Sequence, residues 1–144
     1  MEATSPLVHK PRLASLAATL GRAYALRDDY QNLASAEYTQ TKGFCEDLDE
    51  GKYSLPIIHM LHTLPSYQRG VLHNLLTQRR LKGSMGIEQK RMVLEMMDQA
   101  GSLDYTLNAV RRLQGDMEHE LDVVEQETGV ENFELRALFE MIKI

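Results

Sequence analysis

Two adjacent carboxylates, Asp28 and Asp29, stand at the end of an otherwise apolar helical pattern, and Asn32 follows one turn later. Two lysines ten residues apart, Lys42 and Lys52, come next, with Glu46, Asp47, Asp49 and Glu50 between them. Carboxylates suit hard divalent cations and lysines act as point charges toward phosphate, so the group points to a phosphorylated ligand bridged by Mg²⁺. Taken singly, each charge is more often part of a solvated face. On a wheel of about 100° per residue, Ala25, Asp28 and Asn32 fall within a strip of about 60° flanking the apolar side. Asp28 and Asn32, at i and i+4, can therefore address one ligand. Asp29 lies about 100° round and is expected behind the site or facing solvent.

The elements that must position these groups read as helices throughout. From Pro11, suited to a first turn, Leu13, Leu16, Leu20 and Tyr24 recur at spacings of three and four and define an amphipathic helix. Residues 1–10 carry Pro6 and no periodicity, and read as a loose lead-in. Between Gln40 and Ser54 the pattern breaks around Gly43 and Gly51, which predicts a loop bringing Lys42 and Lys52 back toward the carboxylates. Pro56 opens a short helix that stops near Pro65. His59 and His62 could in principle share a metal there, but no carboxylate or cysteine stands at ligand spacing, so packing or capping is expected. Ser66 is the expected N-cap of a helix through Arg80, with Val71, Leu72, Leu75 and Leu76 inside.

Gly83, Ser84 and Gly86 mark a turn that is too short for a phosphate loop and lacks the following lysine. A helix over about 87–100 carries Met92, Val93, Met96 and Met97 as adaptable core. Ser102 is the expected cap of a long helix reaching about Thr128, where Gly129 breaks the pattern before a last helix from Phe133 to Ile142. No period-two segment and no internal repeat is visible. The fold class expected is all-α, with about six helices.

Composition narrows the function. A net charge of −5 argues against a nucleic-acid partner, which needs basic patches. The content of 43% hydrophobic and 26% charged residues is that of a globular chain, and 144 residues allow one core rather than two ordinary domains. The single cysteine, Cys45, excludes an internal disulfide. No run approaches a membrane span, and the opening MEATSPLVHK lacks the apolar core of a signal peptide, so a cytoplasmic location is expected.

The strings RDDYQNL at 27–33, KGFCEDL at 42–48, EGKYSLPIIH at 50–59 and GSLDYT at 101–106 add a family likeness. Together they resemble the second aspartate-rich region of trans-prenyl diphosphate synthases, and among them the geranylgeranyl diphosphate synthases. The likeness runs from about residue 11 to the end and matches the C-terminal half of that family's domain. It implies half of an isoprenoid-synthase-type helical bundle, with residues 1–144 forming a partial polyprenyl synthase domain. It further implies Mg²⁺-dependent condensation of isopentenyl diphosphate with allylic diphosphates. By this resemblance Asp28 is the metal ligand, and Asn32, Lys42 and Lys52 contact the allylic diphosphate. Tyr24 and Ala25 stand where the family carries a Phe-Gln pair, so one diphosphate contact is missing. The family's first aspartate-rich motif and its isopentenyl-diphosphate-binding basic residues have no counterpart before Arg27, where Glu2 is the sole acidic residue. The resemblance therefore implies a transferase inactive by itself, completed in a homo- or hetero-oligomer. The alternative is a non-catalytic helical partner or regulatory subunit of a synthase, or a truncated remnant.

Overall fold

The computed structural model describes residues 10–34 and 44–144. Among them are seven helices and no strand: α1 (Lys10–Ala34), α2 (Glu46–Glu50), α3 (Leu55–Thr63), α4 (Ser66–Lys82), α5 (Ile87–Gln99), α6 (Ser102–Thr128) and α7 (Phe133–Ile142). The class is all-α. The helix beyond the expected six is α2, which lies inside the segment read as a loop. The lead-in and Lys42 lie outside the described residues.

The chain divides into two compact units, Asp28–Asn108 and the described part of Met1–Arg27 with Ala109–Ile144. In the first, α3, α4 and α5 pack on one another pairwise. Their core joins Ile57 and Met60 of α3, Leu72 and Leu76 of α4, and Val93 and Met97 of α5, together with Leu33 and Leu48. Burying such side chains contributes about 1.5–3 kcal/mol each, which is what holds helices as short as α3 in place. Helix α4 ends at Gly83, whose φ of 82° lets its N–H turn back to the Arg79 carbonyl. On α5 the inward row is Lys90, Val93 and Met97, at i, i+3 and i+7, while Met92 is exposed. A buried lysine thus replaces the expected methionine.

In the second unit Leu16 and Ala23 of α1, Met117 and Leu121 of α6, and Phe139 and Ile142 of α7 form a core. Leu13 and Tyr24, expected on the inner side of α1, are exposed, and the inward positions alternate instead through Leu16, Thr19 and Ala23. The last carbonyl of α7 is satisfied from α6, where Gln114 Nε2 donates to Ile142 O at 2.8 Å.

Two expected caps take other roles. Pro65, not Ser66, is the N-cap of α4, and the Ser66 hydroxyl accepts from Arg69. Ser102 is the first residue of α6, fully buried, with its Oγ 2.8 Å from His59 Nδ1. His59 also stacks on Tyr105 at 4.2 Å between ring centroids, so it ties α3 to α6.

Candidate functional site

The end of α1 brings two polar side chains to the starts of α2 and α3. Asp29 and Asn32 are one turn minus a residue apart, so both face the same neighbouring segment. Asn32 Oδ1 accepts from the Asp47 amide at 3.2 Å, in the first turn of α2. Asp29 Oδ2 accepts from the Leu55 amide at 3.4 Å, the first residue of α3. Helix starts leave such amides without intrahelical partners and carry partial positive charge, so a carboxylate and a carboxamide are the fitting groups. Neither helix caps itself with a side chain, and α1 supplies what they lack.

The other oxygen of Asp29 meets Lys52. Lys52 Nζ lies 2.6 Å from Asp29 Oδ1 and 3.7 Å from Asp47 Oδ2. Both aspartates are buried at 7% exposure, whereas the Lys52 side chain keeps 41% of its surface open. A half-open ammonium pinned from behind by two carboxylates is a cation held ready for an external anion. The Asp29 hydrogen bond raises Lys52 above the ordinary lysine value against a smaller desolvation effect, so it stays charged. Burial pushes the Asp47 carboxyl above its ordinary value; Lys52 opposes this, while Asp29, Asp28 and Glu50 add to it. Asp47 Oδ2 has no hydrogen-bond donor, its ion pair with Lys52 being too long for one.

The Asp28 side chain is exposed. Its charge is nonetheless felt at both Asp47 and Lys52. Of the four residues expected to act on ligand, three are described: Asp28 and Lys52 present open charge in one cluster, and Asn32 spends its oxygen on the α2 start. Lys42 lies outside the described residues. Asp29, expected behind the site or facing solvent, is buried behind Lys52.

Gly51 makes the placement of Lys52 possible. It closes α2 with φ of 65°, and its N–H reaches the Leu48 carbonyl while that of Lys52 returns to the Asp47 carbonyl at 3.0 Å. A Cβ on Gly51 would stand 2.8 Å from Arg79 Nη1, so the left-handed backbone favours glycine and a side chain there would make Arg79 shift. Opposite, Asp49 is gripped by three groups. Lys90 Nζ pairs with Oδ2 at 2.6 Å, the Met85 amide donates to Oδ1 at 3.0 Å, and Arg79 Nε donates to the carbonyl. Sequence reasoning missed Lys90, and its one signal was a charge on the apolar face of α5.

The donor set has the chemistry for Mg²⁺. Asp28 and the undonated Asp47 Oδ2 are hard oxygens, and Mg²⁺ commonly takes one or two carboxylates and completes its shell with water and substrate phosphate. Among the described residues no three acidic, histidine or cysteine side chains form a metal cage by themselves. Residues 3–97 match the polyprenyl synthetase family model. The chain is 47% identical to a talaropentaene synthase of Talaromyces verruculosus over its full length, covering 22% of that protein. It is 44% identical to a bifunctional sesterterpene synthase of Aspergillus aculeatus over 99% of its length and 20% of the relative's. An ophiobolin F synthase of Aspergillus calidoustus is 45% identical over 92% of the chain and 19% of its own length. The chain thus spans about a fifth of these relatives.

Proposed function

Since the chain belongs to the polyprenyl synthetase family, we propose that its α1–α2–α3 corner is the diphosphate half-site of a prenyltransferase, part of a catalytic domain larger than residues 1–144. The observation that carries this is Lys52, half open to solvent and held by Asp29 at 2.6 Å beside the exposed Asp28. In this reading Lys52 binds the diphosphate of an allylic substrate, with Lys42 as a second cation and Asn32 at the margin. Asp28 and Asp47 would hold Mg²⁺, which supplies neutralisation of charge growing on the leaving diphosphate. Asp29 and Asp47 orient the Lys52 ammonium. The reaction class is condensation of isopentenyl diphosphate with an allylic diphosphate, of the geranylgeranyl diphosphate synthase type. The talaropentaene and sesterterpene synthase relatives support isoprenoid chemistry at this site.

Calorimetry with inorganic diphosphate and Mg²⁺ tests the half-site. Weak, Mg²⁺-dependent binding is expected for the wild-type chain, with the metal dependence lost in Asp28→Ala and the affinity lost in Lys52→Met. Equal binding by all three proteins would sink the assignment. Because holding two reactants together can supply roughly 7–11 kcal/mol, and the α1–α2–α3 corner would hold the diphosphate of one, residues 1–144 alone should form no prenyl product. Product from allylic and isopentenyl diphosphates with the purified chain would overturn that part.

Self-association is favoured by one further observation. Leu20, Gly21 and Tyr24 of α1 with Leu138, Met141 and Ile142 of α7 line an open, largely apolar cavity of about 480 Å³. Tyr24 and Met141 are exposed at 58% and 76%, and apolar faces of this kind mark association surfaces. Sedimentation should show self-association that Met141→Glu reduces; a compact monomer at high concentration would count against it.

A further inference from the structure

We propose that Lys90 is a positioning residue for Lys52: from α5 it fixes the Phe44–Gly51 segment, and through that segment the place of the diphosphate-facing ammonium. The proposal rests on the half-site reading for its functional meaning, though not for its geometry.

Lys90 is 6% exposed, on the row of α5 that otherwise carries Val93 and Met97. Burying an ammonium is costly unless every proton is met, and an apolar residue of similar length would stabilise the fold as well or better. Here Nζ is met by the Phe44 carbonyl at 2.5 Å and Asp49 Oδ2 at 2.6 Å, and lies 5.8 Å from the centre of the Phe44 ring. All three contacts fall on one short stretch. That stretch cannot hold its own shape. Helix α2 has five residues, fewer than a self-sustaining helix needs, and it is bounded by two left-handed residues, Cys45 at φ 50° and Gly51 at φ 65°. Cys45 has no glycine-like freedom there, so its conformation is imposed by the surroundings.

Asp49 is where that imposition converges. Its two carboxylate oxygens and its carbonyl are taken by Lys90, the Met85 amide and Arg79, from α5, the α4–α5 turn and α4. Arg79 also lies against Gly51, within 2.8 Å of where a Cβ would stand. Lys52 follows directly, its amide tied to the Asp47 carbonyl at 3.0 Å. The position of Lys52 is thus inherited from α2, and that of α2 from a charge on α5. An ion pair retained where apolar packing would serve acts here as a register pin.

The test uses Lys90→Met, Lys90→Arg and Asp49→Asn in the whole chain. Two readouts are taken: the ¹⁵N-resolved ammonium resonance of Lys52 with hydrogen exchange at the Lys52 and Leu55 amides, and the affinity for inorganic diphosphate with Mg²⁺. Expected is a Lys90→Met chain that melts cooperatively, while its Lys52 resonance moves to the position of a free lysine and its two amides exchange faster. Diphosphate affinity should fall about tenfold, as is usual when the support behind a binding group is removed. Lys90→Arg should restore both in part, and Asp49→Asn should reproduce the loss with a change of one atom. An unmoved Lys52 resonance in folded Lys90→Met overturns the proposal. So does unfolding of both Lys90→Met and Asp49→Asn, which would make Lys90 a stability element. If the wild-type chain fails to bind diphosphate while the Lys52 resonance still responds, the half-site reading falls and the positioning role stands.

Discussion

At the start of α7, Asn132 Oδ1 accepts from the Leu135 amide at 3.1 Å, three residues on, whereas α2 and α3 receive their acceptors from Asn32 and Asp29, 15 and 26 residues away. The side networks differ in the same sense. Around α7, Arg136 binds Glu125 and Asp122 of α6 at the surface, and Glu125 Oε1 also accepts from the Asn132 amide at 2.8 Å. Around α2, Lys90 and Asp49 form a pair whose ammonium is buried. The α7 start is a local device and would survive as a fragment of the pattern. The α2–α3 corner exists because distant residues meet, and the open charge of Lys52 is placed by that meeting.

The largest effect expected from this contrast is at Leu48, the buried apolar anchor of α2. Leu48→Ala should cost about 2–5 kcal/mol in denaturant unfolding, and should release Lys52 along with α2. A change confined to stability, with the Lys52 amide exchanging as in wild type, would break the link between anchor and site. Gly51→Ala comes next. Its left-handed backbone alone disfavours a side chain by about 1–2 kcal/mol, and Arg79 must also shift from the new Cβ. A stability within experimental error of wild type would show that the turn is not what the geometry requires.

Asn32→Ala and Asn132→Ala make a matched pair. Each removes one acceptor from a helix start, for which about 1 kcal/mol is usual. Their spread should differ. Amide exchange in Asn132→Ala should quicken at Leu135 and its neighbours alone, while in Asn32→Ala it should quicken from Asp47 through Leu55. Equal, local responses would erase the distinction between the two corners.

The smallest effect concerns pH. The Arg136 hydrogen bond, then the Asn132 amide, hold the Glu125 carboxyl below its ordinary value. A carboxyl lowered on folding contributes stability above its unfolded value, near 4.5, and the contribution is lost as pH falls through the folded value. Thermal unfolding of Glu125→Gln should therefore fall below wild type at neutral pH, with the gap closing in acid. A gap that is constant with pH would assign the loss to shape rather than charge.

Much of the fold was legible in the residues because helical periodicity is a local property. The long pattern from Leu103 to Val124 and the final run from Phe133 to Ile142 are α6 and α7 as expected, and the Gly83–Gly86 turn stands between α4 and α5. The unexpected helix, α2, was hidden because EDLDE carries one apolar residue in five and has no periodicity to display. In α1 the three–four pattern named the right helix and half of its inner side: Leu16 is buried and Leu20 packs on the core, but Thr19 and Ala23 are buried where Leu13 and Tyr24 are not. Asn132 was readable in principle: it precedes an apolar run and its partner is three residues on.

The sequence by itself determined that the chain is helical, and it pointed to Asp28, Asn32, Lys42 and Lys52 as the residues expected to act on one ligand. For Asp28 and Asn32 that expectation follows from their i, i+4 spacing on one helix, and for the two lysines from residue type beside a predicted loop. Only the tertiary structure decided which of these face outward. Asp29 and Asn32 turn to the amides at the starts of α2 and α3, Asp28 is exposed, and Lys52 is caught between two aspartates. The physical reason is that an unsatisfied amide or a buried charge must be met by whatever group folding brings near it, and that group can be any number of residues away. Lys90 is the plainest case: a lysine in an apolar row has no meaning until the Phe44 carbonyl and Asp49 are found beside it, 46 and 41 residues distant.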